Sequence, residues 1–156
     1  FYQASGTFVS QNYGAMNYSR IKKVIRVCLT AAFVTGFSLS VISIIFRNGI
    51  IGLYSNDCEV IAAGAVRILV VFPLYCLCGL NDVVSGAMRG IEYSTVPLVI
   101  SLIGACVLRV VWILTIFEAY HDLWILYMSY PVSWMLTFAA HLTAFCICYR
   151  KMYEKN

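Results

Sequence analysis

Long apolar runs separated by short polar segments dominate the chain. Four runs cover residues 24–46, 60–81, 96–117 and 123–149. A bilayer core of about 30 Å is crossed by about 20 helical residues, so each run is long enough to be a membrane span. Residues 1–10 read as the end of an earlier span. The spans are expected to be helices, because an open sheet leaves backbone groups unsatisfied in lipid. The pattern therefore predicts an all-α integral membrane protein. It is a polytopic helical bundle of four transmembrane helices plus the end of a preceding one, in a single membrane domain over residues 1–156.

The polar segments set the expected orientation. Residues 11–23 and 82–95 read as loops on one side, with residues 150–156 as a tail on that side. Residues 47–59 and 118–122 read as loops on the other side. The first set carries Arg20, Lys22, Lys23, Arg26, Arg89, Arg150, Lys151 and Lys155, against Arg47 alone in the second. Basic residues accumulate in cytoplasmic loops, so the first set and the C-terminus are expected in the cytoplasm. The expected location is the cell membrane (plasma or inner), with several passes. Tyr54, Phe117, Tyr120, Trp124 and Tyr127 fall at the predicted outer interface, and Tyr93, Tyr149 and Tyr153 at the inner one.

Composition supports the same class. Hydrophobic residues make up 62% of the chain and charged residues 12%, against about 25% charged in a soluble domain. Mean hydropathy is +0.83. The net charge of +4 matters less than its placement, and no nucleic-acid partner is expected. No signal peptide and no initiator methionine stand at the start, so the chain reads as a piece beginning inside a longer protein. Six of the seven cysteines lie in apolar runs and Cys58 lies in a polar loop. Their spacing fits no zinc motif, so they read as small packing residues and neither metal nor cofactor is expected.

Polar residues inside the spans are the candidate functional groups. Ala32, Gly36, Ser40, Ser43 and Arg47 recur at helical spacing on one face of the first span. Ser129, Ser133, Thr137 and His141 do so on the fourth. Such faces either line a water-filled cavity or let helices approach closely. Pro73 and Pro131 are expected to kink their helices. Arg67 is placed to snorkel to the outer surface. Arg109 aims toward the bilayer centre, where the chain offers no carboxylate. Backbone carbonyls, hydroxyls or a residue elsewhere in a longer protein are its candidate partners. It reads either as a packing tie or as a transport-path residue. His141 is either a packing hydrogen-bonder or a proton relay.

Three stretches resemble one family. SQNYGAMNYSRIKK resembles the Q-N-x-G-A-x-N-x-x-R loop of multidrug and toxic compound extrusion (MATE) transporters, through Gln11, Asn12, Gly14, Ala15, Asn17 and Arg20. SGAMRGIEYSTVP resembles that family's G-A-x-R-G-x-G-x-S-x-x-P loop, through Gly86, Arg89, Gly90 and Pro97. LRVVWI and SYPVSW resemble its last two helices. The resemblance implies two six-helix lobes around a V-shaped cavity, with this chain as the last four helices of the second lobe. It also implies export of small organic cations or drugs in exchange for protons or sodium ions. The remaining N-terminal part of the same protein would be its partner in that activity.

Two features depart from the family pattern. Glu92 replaces the usual second glycine of the loop. Asp82 falls only at the cytoplasmic end of the predicted second span, which argues against an acidic coupling site in that helix. A lipid or oligosaccharide flippase of the same superfamily and a non-transporting membrane subunit stay open as alternatives. No nucleophile motif or carboxylate pair appears in the spans, so an enzyme is not expected.

Overall fold

A computed structural model describes residues 1–54 and 56–155, excluding the Lys155 side chain. Ser55 of the predicted outer loop, and the Lys155 side chain and Asn156 of the predicted tail, lie outside the described residues. Helices dominate these residues, and no strand occurs among them. They are α1 (Tyr2–Gly14), α2 (Tyr18–Ile45), α3 (Arg47–Gly52), α4 (Cys58–Val71), α5 (Cys76–Gly90), α6 (Thr95–Tyr120) and α7 (Leu123–Lys155). Among the described residues, three helices are individually long and apolar enough to span a membrane: α2, α6 and α7. The bent pair α4 and α5 makes up to four.

The helices overrun the apolar runs at the basic end. The loop expected over 11–23 is helical except around Ala15–Asn17, where Met16 takes a left-handed φ of 53°. The loop expected over 82–95 is helical as far as Gly90. The segment expected as a tail continues α7 to Lys155. The segment 47–59, predicted as an outer loop, contains the short helix α3. Hydropathy marks where lipid ends, whereas a helix ends where its backbone turns. At α5 that turn is set by Glu92, whose φ is 69°. The position where the family pattern has glycine is thus one that favours glycine physically.

The second predicted span proves to be α4 and α5 joined through a 3-10 turn at Phe72–Leu74 and bent by 44°. Pro73 sits in that turn and supplies no N–H to continue the ladder. By contrast α7 runs unbroken through Pro131. In α6, two π-helical stretches, Ile103–Val107 and Ile113–Phe117, interrupt the α pattern on either side of Arg109. At the predicted outer turns Asp57 accepts from the Glu59 N–H at 2.9 Å, and Asp122 accepts from the Trp124 N–H at 3.0 Å. Both carboxylates are therefore occupied at helix starts, where they satisfy orphan donors.

Burial is arranged as lipid demands. Large apolar side chains of α6 such as Leu102, Val110 and Leu114 are exposed around its circumference. Ser5, Ser40, Asn81, Ser129, Ser133, Thr137 and His141 are buried. The helix at the centre is α5, which packs on α1, α2, α6 and α7. Its contact with α1 depends on glycine. A Cβ added at Gly86 would lie 2.5 Å from the Tyr2 carbonyl oxygen, and one at Gly90 would lie 2.8 Å from that of Gly6. Ser5 Oγ–H also donates to the Val83 carbonyl across this contact, at 2.9 Å.

Candidate functional site

The candidate site is built where α5, α6 and α7 meet, around the polar face of α7. Ser129, Ser133, Thr137 and His141 are spaced by four residues and are all buried. Each hydroxyl first satisfies its own helix. Ser129 donates to the Leu126 carbonyl, Ser133 to that of Tyr130 and Thr137 to that of Ser133, at 2.6, 2.9 and 2.6 Å. This back-bonding makes a hydroxyl tolerable in an apolar bundle. Thr137 faces Gly104, in the first π stretch of α6, where any Cβ would collide with its side chain.

His141 is 1% exposed and bridges all three helices. Its Nδ1 lies 3.0 Å from Asn81 Oδ1, and its Nε2 lies 3.5 Å from Ser101 Oγ and 3.4 Å from the Pro97 carbonyl. The Asn81 amide group donates to the carbonyls of Leu77 (3.0 Å) and Trp134 (3.3 Å), which leaves Oδ1 as an acceptor. Nδ1 of His141 is therefore the donor in that pair. In the neutral ring Nε2 then accepts from Ser101; in the charged ring it donates to Pro97 or Ser101. One node thus offers bonding partners for both protonation states. Asp82, next to Asn81 on α5, is exposed. Because α5 continues to Gly90, Asp82 lies inside that helix rather than at its end, two turns before the C-terminus.

A second polar cluster lies nearer the predicted outer surface. Arg109 Nε–H donates to Ser133 Oγ at 3.1 Å. Its guanidinium also lies 4.3 Å from the Tyr130 ring centre and 5.8 Å from that of Trp134. Arg67 reaches the same Tyr130 ring at 5.8 Å, so two cations converge on one aromatic. Trp134 meets Tyr130 and Tyr75 edge to face, at 6.0 and 5.5 Å. Arg67 itself is exposed. Among the described residues neither arginine has an ion pair; the only such pair is Arg150 with Glu154 at 2.8 Å.

The remaining sequence candidates are spread around this centre. The stripe on α2 faces α5: Ala32 and Ser40 are buried, and a Cβ at Gly36 would lie 3.1 Å from the Cys76 Cα. Ser40 donates to the Gly36 carbonyl at 2.8 Å, while Ser43 is half-buried. Gln11, Asn12, Gly14, Ala15 and Asn17 form the end of α1 and the turn into α2. There the Asn17 N–H reaches the Asn12 carbonyl at 2.8 Å, and the Arg20 N–H reaches that of Asn17 at 3.1 Å. Gly86 and Gly90 make the α1 contact, Arg89 lies over the Tyr2 ring at 5.6 Å, and Pro97 lends its carbonyl to His141. Sequence reasoning missed Asn81, Ser101, Tyr130 and Trp134. Asn81 left a signal, an amide inside an apolar run. Tyr130 and Trp134 stand within the SYPVSW stretch, but their contact with Arg109 left no signal, because aromatic contacts with a cation depend on which helices are neighbours.

Comparison with known proteins identifies the setting. The MatE family model matches residues 1–115. A stretch of 99 residues is 27% identical to the probable multidrug resistance protein YoeA of Bacillus subtilis (strain 168). That stretch is 64% of this chain but 21% of the relative, so the chain spans about a fifth of the length of the relative that it matches. With the helical bundle and its apolar exterior, these matches show that the chain belongs to the MatE family and is a multi-pass membrane protein.

Proposed function

We propose that the chain acts within a secondary active efflux transporter. This antiporter exports organic cations or drugs in exchange for protons or sodium ions, and it is completed by an N-terminal part of the same protein. It resides in the plasma or inner membrane with its C-terminus in the cytoplasm. The observation that carries the reading is the His141 node, buried between α5, α6 and α7. An ionisable side chain at depth is costly and is usually retained for a pathway or a relay. Histidine changes charge near neutral pH. Gaining a proton turns Nε2 from acceptor to donor and draws the Pro97 carbonyl, at the start of α6, into the node. Proton binding would thereby be felt at the junction of α5, α6 and α7.

The test is export of a fluorescent organic cation by the full-length protein in liposomes, under an imposed proton or sodium gradient. His141→Gln should lower gradient-driven export by about ten-fold or more, with dye binding retained. Unchanged export by this variant would reject the node as the coupling site. The flippase alternative is read in the same vesicles: translocation of a labelled lipid without dye export would favour it. No transport of either would favour a non-transporting subunit.

A further inference from the structure

At the basic end, away from this node, α1 and α2 flank an open groove of about 430 Å³. Its walls are Phe8, Val24, Val27 and Cys28, and its rim carries Arg20 and Lys23. The positions on α2 recur at helical spacing, so two cations and an apolar strip share one face. Neither cation has an ion pair among the described residues, and both are exposed. Lys22, between them in sequence, is turned away onto the Tyr149 ring at 5.1 Å. Phe8 and Val27 are 52% and 68% exposed, so the apolar wall is open as well.

We infer that this groove binds an anionic phospholipid, with its phosphate at Arg20 and Lys23 and an acyl chain along Phe8, Val24 and Val27. The charge pattern selects this occupant. A further apolar helix laid here would bury two cations without a counter-charge, at a cost a bundle avoids. A phospholipid brings phosphate and hydrocarbon together in the required order. Basic pockets between helices near a membrane surface recognise lipid headgroups for this reason. Guanidinium and ammonium groups both suit phosphate oxygens, the guanidinium bidentately. The site is separate from the His141 node and does not depend on transport.

The experiment uses the full-length protein in phosphatidylcholine nanodiscs with and without phosphatidylglycerol. Lipid retention is read by native mass spectrometry and thermal stability by unfolding. The native protein should retain phosphatidylglycerol and unfold at higher temperature in its presence. The double variant Arg20→Gln, Lys23→Gln should bind it about 30-fold more weakly, from roughly five-fold per basic residue. Val27→Trp, which fills the groove while keeping both charges, should lose the lipid too; it serves as the reading if the double variant folds poorly. Lys151→Gln should bind as the native protein does. Equal loss in Lys151→Gln would replace the site by diffuse surface attraction. Full competition by inorganic phosphate would reduce it to an anion site. Undiminished binding by Val27→Trp, or equal retention of phosphatidylcholine, would overturn the proposal.

Discussion

At the scale of single residues the problem is how to keep polar atoms in an apolar bundle. No buried side-chain nitrogen or oxygen lacks a partner among the described residues. Arg109 shows how the cost is met without an acid: a hydroxyl takes Nε–H, and two aromatic faces take the charge. Lysine keeps the charge but not the planar fork that satisfies Ser133 and stacks on Tyr130 at once. Arg109→Lys is expected to lower the stability of the full protein by about 1–2 kcal/mol. Detergent unfolding and export measured on the same preparation check this. Normal stability with abolished export would instead make Arg109 a transport-path residue. Sequence alone could show that Arg109 lacks a carboxylate at its depth. It could not show Tyr130 as partner, because that pairing joins α6 to α7 through packing rather than spacing.

At the scale of elements the central helix is the informative one. Asn81, Asp82 and Arg89 interrupt the hydropathy of α5 but not its backbone, so the helix runs about two turns past the end of the apolar run. The 3-10 turn at Phe72–Leu74, by contrast, was legible through Pro73. So was the polar face of α7, whose spacing of four is a helix property that needs no neighbour. The glycines of α5 were legible as a motif but not as a contact, since only the fold shows α1 against them. That contact makes a prediction. Gly86→Ala places a methyl 2.5 Å from the Tyr2 carbonyl oxygen, a backbone atom that cannot swing aside. It should cost about 1–3 kcal/mol, as overpacking does. At Gly79, on the same helix, the nearest atom to an added Cβ is the Ala32 methyl at 3.9 Å. Gly79→Ala should therefore be neutral or stabilising by up to about 1 kcal/mol from helix propensity. Thermal unfolding of the two variants side by side checks the contrast, and equal destabilisation would mean that α1 does not pack on α5 through Gly86.

At the scale of the whole molecule the arrangement of ends carries the topology. Val9 of α1, Ile21 and Ile25 of α2, Met88 of α5 and Tyr149 and Met152 of α7 form one buried cluster. The Tyr149 hydroxyl also donates to the Tyr18 carbonyl at 2.9 Å. The basic segments around Arg20, Arg89 and Lys151, scattered in sequence, are thereby gathered at one end of the bundle. The acidic N-caps Asp57 and Asp122 belong to helix starts whose chains run toward that end. Charge asymmetry between the two ends orients a bundle, because basic segments resist translocation. Arg89 and Lys151 should therefore face the cytoplasm, and Asp57 and His121 the outside. Single cysteines at these four positions, in a full-length protein freed of its native thiols, would be exposed to an impermeant maleimide in intact cells. Asp57→Cys and His121→Cys should label from outside, whereas Arg89→Cys and Lys151→Cys should label only after permeabilisation. Labelling at position 89 in intact cells would reverse the orientation. It would also move the groove rimmed by Arg20 and Lys23 to the outer leaflet.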